Sequence, residues 1–196
     1  MVKYFAFLLL FPAQLVFCQV HNCIVPIDSL TGLPQYKVIE DVPGVSREIL
    51  YSRFKIWVSK NFKSATDVIK LDDISNYIVH VKGMTEIYHD VKILGSNPGS
   101  DWYCFFMIQA YFKDNKYKII LDNFSYKNGF YEDQTFEQVH HRWKPDEIGR
   151  PAKSMRNNFV EAGLRMEARF HVYMENLLLN IHNGMVTATE IQKDDW

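Results

Sequence analysis

The sequence is poor in the features on which several functional classes depend. Only three cysteines occur in 196 residues, so a disulfide-rich fold is excluded. An apolar content of 47% is sufficient to build a hydrophobic core without disulfide bonds. Neither sign of charge dominates, with 22 basic and 23 acidic residues, which disfavours nucleic acid and anionic lipid as partners. Repeats, heptads and low-complexity tracts are also absent. The length and composition are therefore those of a single globular domain of ordinary size.

The N-terminus has the layout of a secretory signal peptide. Lys3 precedes an apolar run over residues 4–17 that is too short for a membrane span, which needs about 20 apolar residues. Small side chains end the run, so we expect cleavage after Cys18 and a periplasmic or secreted chain that begins at Gln19, without a transmembrane span. The alternative is a lipid anchor on Cys18, although the bulky Phe17 departs from the lipobox pattern.

Two cysteines, Cys23 and Cys104, would survive this cleavage in an oxidising compartment where a disulfide can persist. Cys104 lies within an apolar strand, where a free cysteine packs as a small hydrophobic residue. A free thiol is therefore favoured, and a bridge between the two is the alternative.

The remaining chain predicts one α+β domain over residues 34–182, after a lead-in at 19–33 and before a tail at 183–196. Residues 46–62 have the amphipathic spacing of a helix, with Leu50, Phe54, Trp57 and Val58 on the buried stripe. The other predicted elements are strands at 36–42, 66–71 and 76–82, a sheet extension and loop within 84–101, a hairpin at 102–126, a polar connection at 127–152, and a helix at 154–181 stopped by Asn183-Gly184.

The most specific prediction concerns the strand register of the hairpin at residues 102–126. Asp114 and Asn115 both tolerate positive φ, which a two-residue primed turn requires, so Lys113 should face Lys116. That register puts alternate pairs, such as Ile108 with Leu121, on a core face. The same register places aromatic and methionine side chains on the opposite face: Tyr103, Phe105, Met107, Phe124 and Tyr126. His80, from the neighbouring strand, is predicted to lie on this face as well.

The stretches Val45–Tyr51, Lys60–Ala65 and Ile69–Asp73, together with Tyr117–Phe124, resemble a family of exported bacterial domains of unknown function described as TBP-like (TATA-binding-protein-like). The resemblance covers about residues 34–126. It implies a strand, a helix, four antiparallel strands and a second helix. It implies no catalytic residues, because the family has none assigned, and fold analogy alone gives no reason to expect DNA binding.

One segment has the composition of a metal site. Glu132, Asp133, Glu137, His140 and His141 are ligand types that zinc prefers. The spacing is unfavourable, since no HExxH motif occurs and adjacent histidines point apart on a helix or a strand. Glu137, His140 and His141 are therefore weak metal candidates, and we predict no cofactor. Neither a nucleophile elbow nor a phosphate loop is present.

The sequence thus favours an exported, non-catalytic binding or assembly module of the bacterial envelope. Its partner would be a protein, a peptide or a glycan bound at the aromatic face, with His80 as a pH-sensitive contact. One alternative is a metal-dependent or hydrolytic enzyme that uses residues 132–141. Another is a structural homodimer that buries the same face, and residues 127–152 of the chain are a further candidate to cover it.

Overall fold

A computed structural model describes residues 25–89, 100–129, 133–136 and 153–187. The predicted cleavage site, Cys23, and most of the 132–141 segment lie outside these ranges. The strands are β1 (Tyr36–Asp41), β2 (Ile69–Asp73), β3 (Ile78–His89), β4 (Ser100–Lys113), β5 (Lys116–Lys127) and β6 (Gln134–Thr135). The helices are α1 (Arg47–Asn61), α2 (Ala65–Val68) and α3 (Lys153–Val186). Within this part of the chain, no helix combines the length and apolar content of a membrane span.

The strands form one antiparallel sheet in the order β1-β5-β4-β3-β2, and β6 pairs with the far end of β5. The Asp114-Asn115 turn sets the predicted register from Lys113 opposite Lys116 to Met107 opposite Asp122. Asn115 has φ 64° but Asp114 does not have positive φ, so the turn keeps the predicted two-residue length and register without the predicted primed geometry. The α+β class and the antiparallel sheet are confirmed.

The long helices α1 and α3 pack on one face of this sheet. Leu50, Phe54, Trp57 and Val58 of α1 are buried as predicted. Phe54 meets Phe112 of β4 with ring centroids 5.6 Å apart. On α3, Phe170 meets Phe124 of β5 edge to face at 5.0 Å. The core therefore lies between the helical layer and one side of the sheet.

The predicted stop at Asn183-Gly184 is wrong, because α3 continues to Val186. Gly184 is suited to this position for a different reason: a Cβ there would lie 2.8 Å from the Trp57 ring of α1. The glycine lets two helices approach closely and does not end one.

Residues 64–77 also differ from the prediction. Ser64 caps the short helix α2 by accepting a hydrogen bond from the Asp67 amide, so the strand begins at Ile69 and not at residue 66. Asp72, which the predicted strand at 66–71 leaves out, belongs to β2, and its carboxylate accepts hydrogen bonds from Tyr51 and Lys55 of α1. The next strand, β3, runs without interruption from Ile78 to His89.

A β-bulge interrupts the hairpin register. Beyond Met107 and Asp122 the pairing resumes with Phe105 opposite Ser125, so two β5 residues, Asn123 and Phe124, oppose Phe106. Asn123 takes the left-handed conformation, with φ 53°. The extra residue exchanges the two faces of β5 from this point onward. Continued past Met107, the predicted register would pair Phe106 with Asn123 on the core side, and the bulge shows that this continuation is wrong.

Cys104 is a free, fully buried cysteine, which agrees with the favoured interpretation and not with a bridge to Cys23. Burial raises the pKa of its thiol to about 12. The thiol is thus packed as a small hydrophobic group and is not poised as a nucleophile.

Candidate binding surface

The sheet surface opposite the helices is called the open face here. It is formed by the alternate residues of β3 and β4 that point away from α1 and α3, with their neighbours on β2, β5 and β1. Its central side chains are His80, Met84, Tyr103, Phe105, Met107 and Tyr111. No described helix packs on this side.

Four of the predicted site residues lie together on the open face. Met84 faces Phe105, Glu86 faces Tyr103 and Lys82 faces Met107 across the β3–β4 pair. His80 of β3 faces Gln109 of β4 across the same strand pair. Tyr103, Phe105, Met107 and His80 therefore occupy the surface that the sequence assigned to them.

Phe124 and Tyr126 lie on the opposite surface, so their predicted placement is wrong. They are 7% and 2% exposed and pack against Phe170 of α3. The bulge at Asn123 is the cause, because it moves every later β5 side chain to the other face. Neither residue can contact a partner without displacing α3.

Two residues of β3 that the sequence analysis did not single out, Met84 and Tyr88, complete the surface. Met84 is 53% exposed and Tyr88 42%, and the neighbouring Tyr103 of β4 is 39% exposed. Together with the half-buried Phe105 and Met107 they form an apolar strip along two adjacent strands. The alternation of Lys82, Met84, Glu86 and Tyr88 carries this signal, whereas the sequence analysis predicts a separate strand to residue 82 and only an unspecified sheet extension within 84–101.

A polar network lies beside this strip. The Tyr111 hydroxyl donates to Gln109 Oε1 at 2.7 Å, and Gln109 Nε2 donates to Asp122 Oδ2 at 2.7 Å. The Lys118 ammonium lies 4.1 Å from the centre of the Tyr111 ring. Burial, followed by the charge of Asp122, raises the pKa of the Tyr111 hydroxyl. These contacts fix side chains of two neighbouring strands, β4 and β5, in one arrangement.

Two buried polar atoms of this surface, His80 Nε2 and Asp122 Oδ1, have no hydrogen-bond partner among the described residues. The His80 ring also meets Tyr111 edge to face at 6.0 Å. Buried polar groups are almost always hydrogen-bonded in proteins. These two atoms are exceptions to that rule among the described residues, and they lie beneath the exposed side chains of the open face.

The metal candidates Glu137, His140 and His141 lie outside the described residues, and Asp133 is exposed. Among the residues that the structure describes, no group of three or more His, Cys, Asp and Glu side chains could hold a metal ion. The described side chains of the open face could bind a partner through ring contacts and hydrogen bonds.

Comparison with known proteins confirms the family resemblance. Residues 36–127 match the model of DUF4468, described as a domain of unknown function with TBP-like fold. No curated protein matches the chain.

Two solved structures share the fold. A DUF4468 family protein from Bacteroides ovatus aligns with a TM-score of 0.58 and 14% identity, over 82% of this chain and 91% of the other. A TBP-like protein from Parabacteroides distasonis aligns with a TM-score of 0.56 and 11% identity, over 83% of this chain and 97% of the other. At these identities the likeness extends to the fold alone.

Proposed function

Because residues 36–127 match a family without an assigned activity, we propose a function from the surface itself. The chain is an exported, non-catalytic binding or assembly module of the bacterial cell envelope, and it recognises its partner through the open face. The export part of the proposal rests on the signal-peptide layout of residues 1–18.

The observation that supports a binding role is the apolar strip on the open face. Met84, Tyr88 and Tyr103 each expose more than a third of their surface on adjacent strands. A large apolar patch on one face of a domain is typical of an interaction surface. Aromatic and methionine side chains are also the apolar types that interfaces favour.

The charges around the strip add specificity. Lys82 places its ammonium 5.3 Å from the centre of the Phe105 ring, and Glu86 faces Tyr103 across the strand pair. Lys118 covers Tyr111 further along β4. A polar rim around an apolar centre is the usual anatomy of a protein interface, so a protein or peptide partner fits this surface best.

Photo-crosslinking in the cells that produce the chain tests the proposal. A photoreactive amino acid replaces Tyr103 on the open face, and the control places it at Glu175, an exposed position of α3. We expect a discrete heterologous adduct from position 103 and none from position 175. An adduct of twice the chain mass would support the structural homodimer instead. Equal labelling at both positions would rule out a specific role for the open face.

A further inference from the structure

The outer edge of β1 is a second interaction surface. β1 lies at one end of the strand order and pairs on its inner side with β5. The Val42 amide, directly after β1, donates to the Asn115 carbonyl at 2.7 Å. Backbone groups alternate in direction along an antiparallel strand, so every second residue counted back from Val42 bonds to β5. The residues between them direct their amides and carbonyls to the outer edge, where no described strand lies: Lys37, Ile39 and Asp41.

The chain that leads into β1 already lies beside this edge. Ile27 and Pro34 form an antiparallel bridge. The Gln35 amide donates to the Pro26 carbonyl at 2.9 Å. Both contacts belong to one register, in which each step back along the lead-in matches one step forward towards β1. Gln35 is thus hydrogen-bonded on its outer side, as alternation from Val42 requires.

The burial of Val25 agrees with a continuation of the same register. The next facing pair after Pro26 and Gln35 is Val25 with Tyr36. Side chains of facing residues lie on the same side of a sheet. Val25 and Tyr36 are each 2% exposed and belong to the same core. The chain at Val25 therefore runs antiparallel to β1 and along its outer edge.

We propose that residues 20–24 of this chain bind the outer edge of β1 as an additional antiparallel strand. In the continued register three hydrogen-bonded pairs give the outward backbone groups of β1 their partners: Ile24 with Lys37, Asn22 with Ile39, and Val20 with Asp41. Residues 20–24 follow Cys18 whether that residue is removed or carries a lipid. The proposal therefore depends neither on the mode of export nor on the partner of the open face.

A second copy of β1 fits this edge less well than the chain's own segment. Pairing two β1 strands over most of their length would put a residue of the copy opposite Tyr36, in the space next to Val25. The chain's own segment is tethered beside the edge, so its pairing does not require association of two molecules. It would also place Asn22 beside Ile39, whose side chain is 60% exposed. An edge paired in this way is closed to aggregation.

Amide hydrogen exchange, followed residue by residue by NMR in the exported chain, tests the pairing. The amides of Lys37, Ile39 and Asp41 should exchange at least about tenfold more slowly than in an unstructured chain, because each donates to the added strand. Exchange of all three at the rate of an unstructured chain would overturn the proposal. Protection that appears only at high protein concentration would assign the edge to a second copy and would overturn it as well.

Two proline variants distinguish strand pairing from other contacts, because proline is tolerated in a strand only where its missing amide hydrogen would face away from the neighbouring strand. Asn22→Pro removes the amide that should donate to Ile39, so the protection of Ile39 and Asp41 should be lost. His21→Pro is the matched control, since that amide would point away from β1, and the protection should persist. The Glu40 amide, which bonds to β5, should stay protected in both variants and reports an intact fold. Equal protection of Ile39 in the two variants would contradict the pairing.

Discussion

At the residue scale, Asn123 determines which side chains reach the core from the second half of β5. Its left-handed backbone, φ 53°, inserts one extra residue opposite Phe106. Asparagine adopts this conformation more readily than most residues, since its short polar side chain can hydrogen-bond locally. As a result Phe124 and Tyr126 become part of the aromatic cluster around Phe170.

We predict that Phe124→Ala and Phe105→Ala differ strongly in stability. Phe124 is 7% exposed within the core, so its truncation should cost about 3 to 5 kcal/mol of unfolding free energy. Phe105 is half-buried on the open face, and its loss should cost about 1 kcal/mol or less. Urea denaturation of both variants measures the difference. Equal losses would show that the two phenylalanines share one face and that the bulge is absent.

A second residue-scale prediction concerns Glu48 at the start of α1. Hydrogen bonds from the Ser46 side chain, the Glu48 amide, Arg47 and Tyr77 lower its pKa from 4.5 to about 2. A lowered folded-state pKa stabilises the fold above the unfolded pKa, and this contribution disappears as the pH falls through the folded pKa.

Unfolding free energies of the wild type and Glu48→Gln at several pH values test this account. We expect the wild type to be the more stable protein at neutral pH and the difference to shrink between about pH 5 and pH 2. A difference that is constant over this interval would mean that the carboxylate charge has no part in capping α1.

At the element scale, the β4–β5 turn also holds the connection between β1 and α1. Asp114 Oδ1 accepts from the Arg47 amide at 3.0 Å, in the first turn of α1. Asn115 Oδ1 accepts from the Gly44 amide at 2.7 Å. The amide and carbonyl of Asn115 bond to Val45 and Val42. The turn therefore satisfies backbone groups that the loop and the helix N-terminus would otherwise leave unpaired.

Asp114→Ala should therefore destabilise the domain by about 1 kcal/mol, the usual effect of losing a helix cap. Lys113→Ala is the matched control, because Lys113 is an exposed neighbour in the same turn, and it should change the free energy of unfolding by less than about 0.5 kcal/mol. Chemical denaturation provides both values. If the control were as destabilised as Asp114→Ala, the cap would have no special role.

The elements show where sequence reasoning succeeds. The register of the adjoining pairs could be predicted as far as Met107 and Asp122 because the two-residue loop Asp114-Asn115 fixes which residues face each other, although only Asn115 has the positive φ that was expected of both. Asn123 carries no comparable signal within an apolar strand, and the faces of Phe124 and Tyr126 were missed for that reason. Gly184 was read as a helix stop because its real constraint, the Trp57 ring, comes from another element.

At the scale of the whole molecule, the two sides of the sheet have different roles. The helical side buries the aromatic core. The other side exposes the apolar strip of β3 and β4. Stability should therefore depend mainly on the helical layer, and side-chain changes on the open face should cost little.

Methionine oxidation tests the availability of the open face most directly. Met84 and Met107 lie on that face, whereas Met174 and Met185 are fully buried on the helical side. In the dilute, folded protein treated with peroxide, mass spectrometry should find sulfoxide first at Met84 and Met107, and at Met174 and Met185 only on unfolding. Protection of Met84 and Met107 equal to that of Met174, at every protein concentration, would contradict a surface open to a partner.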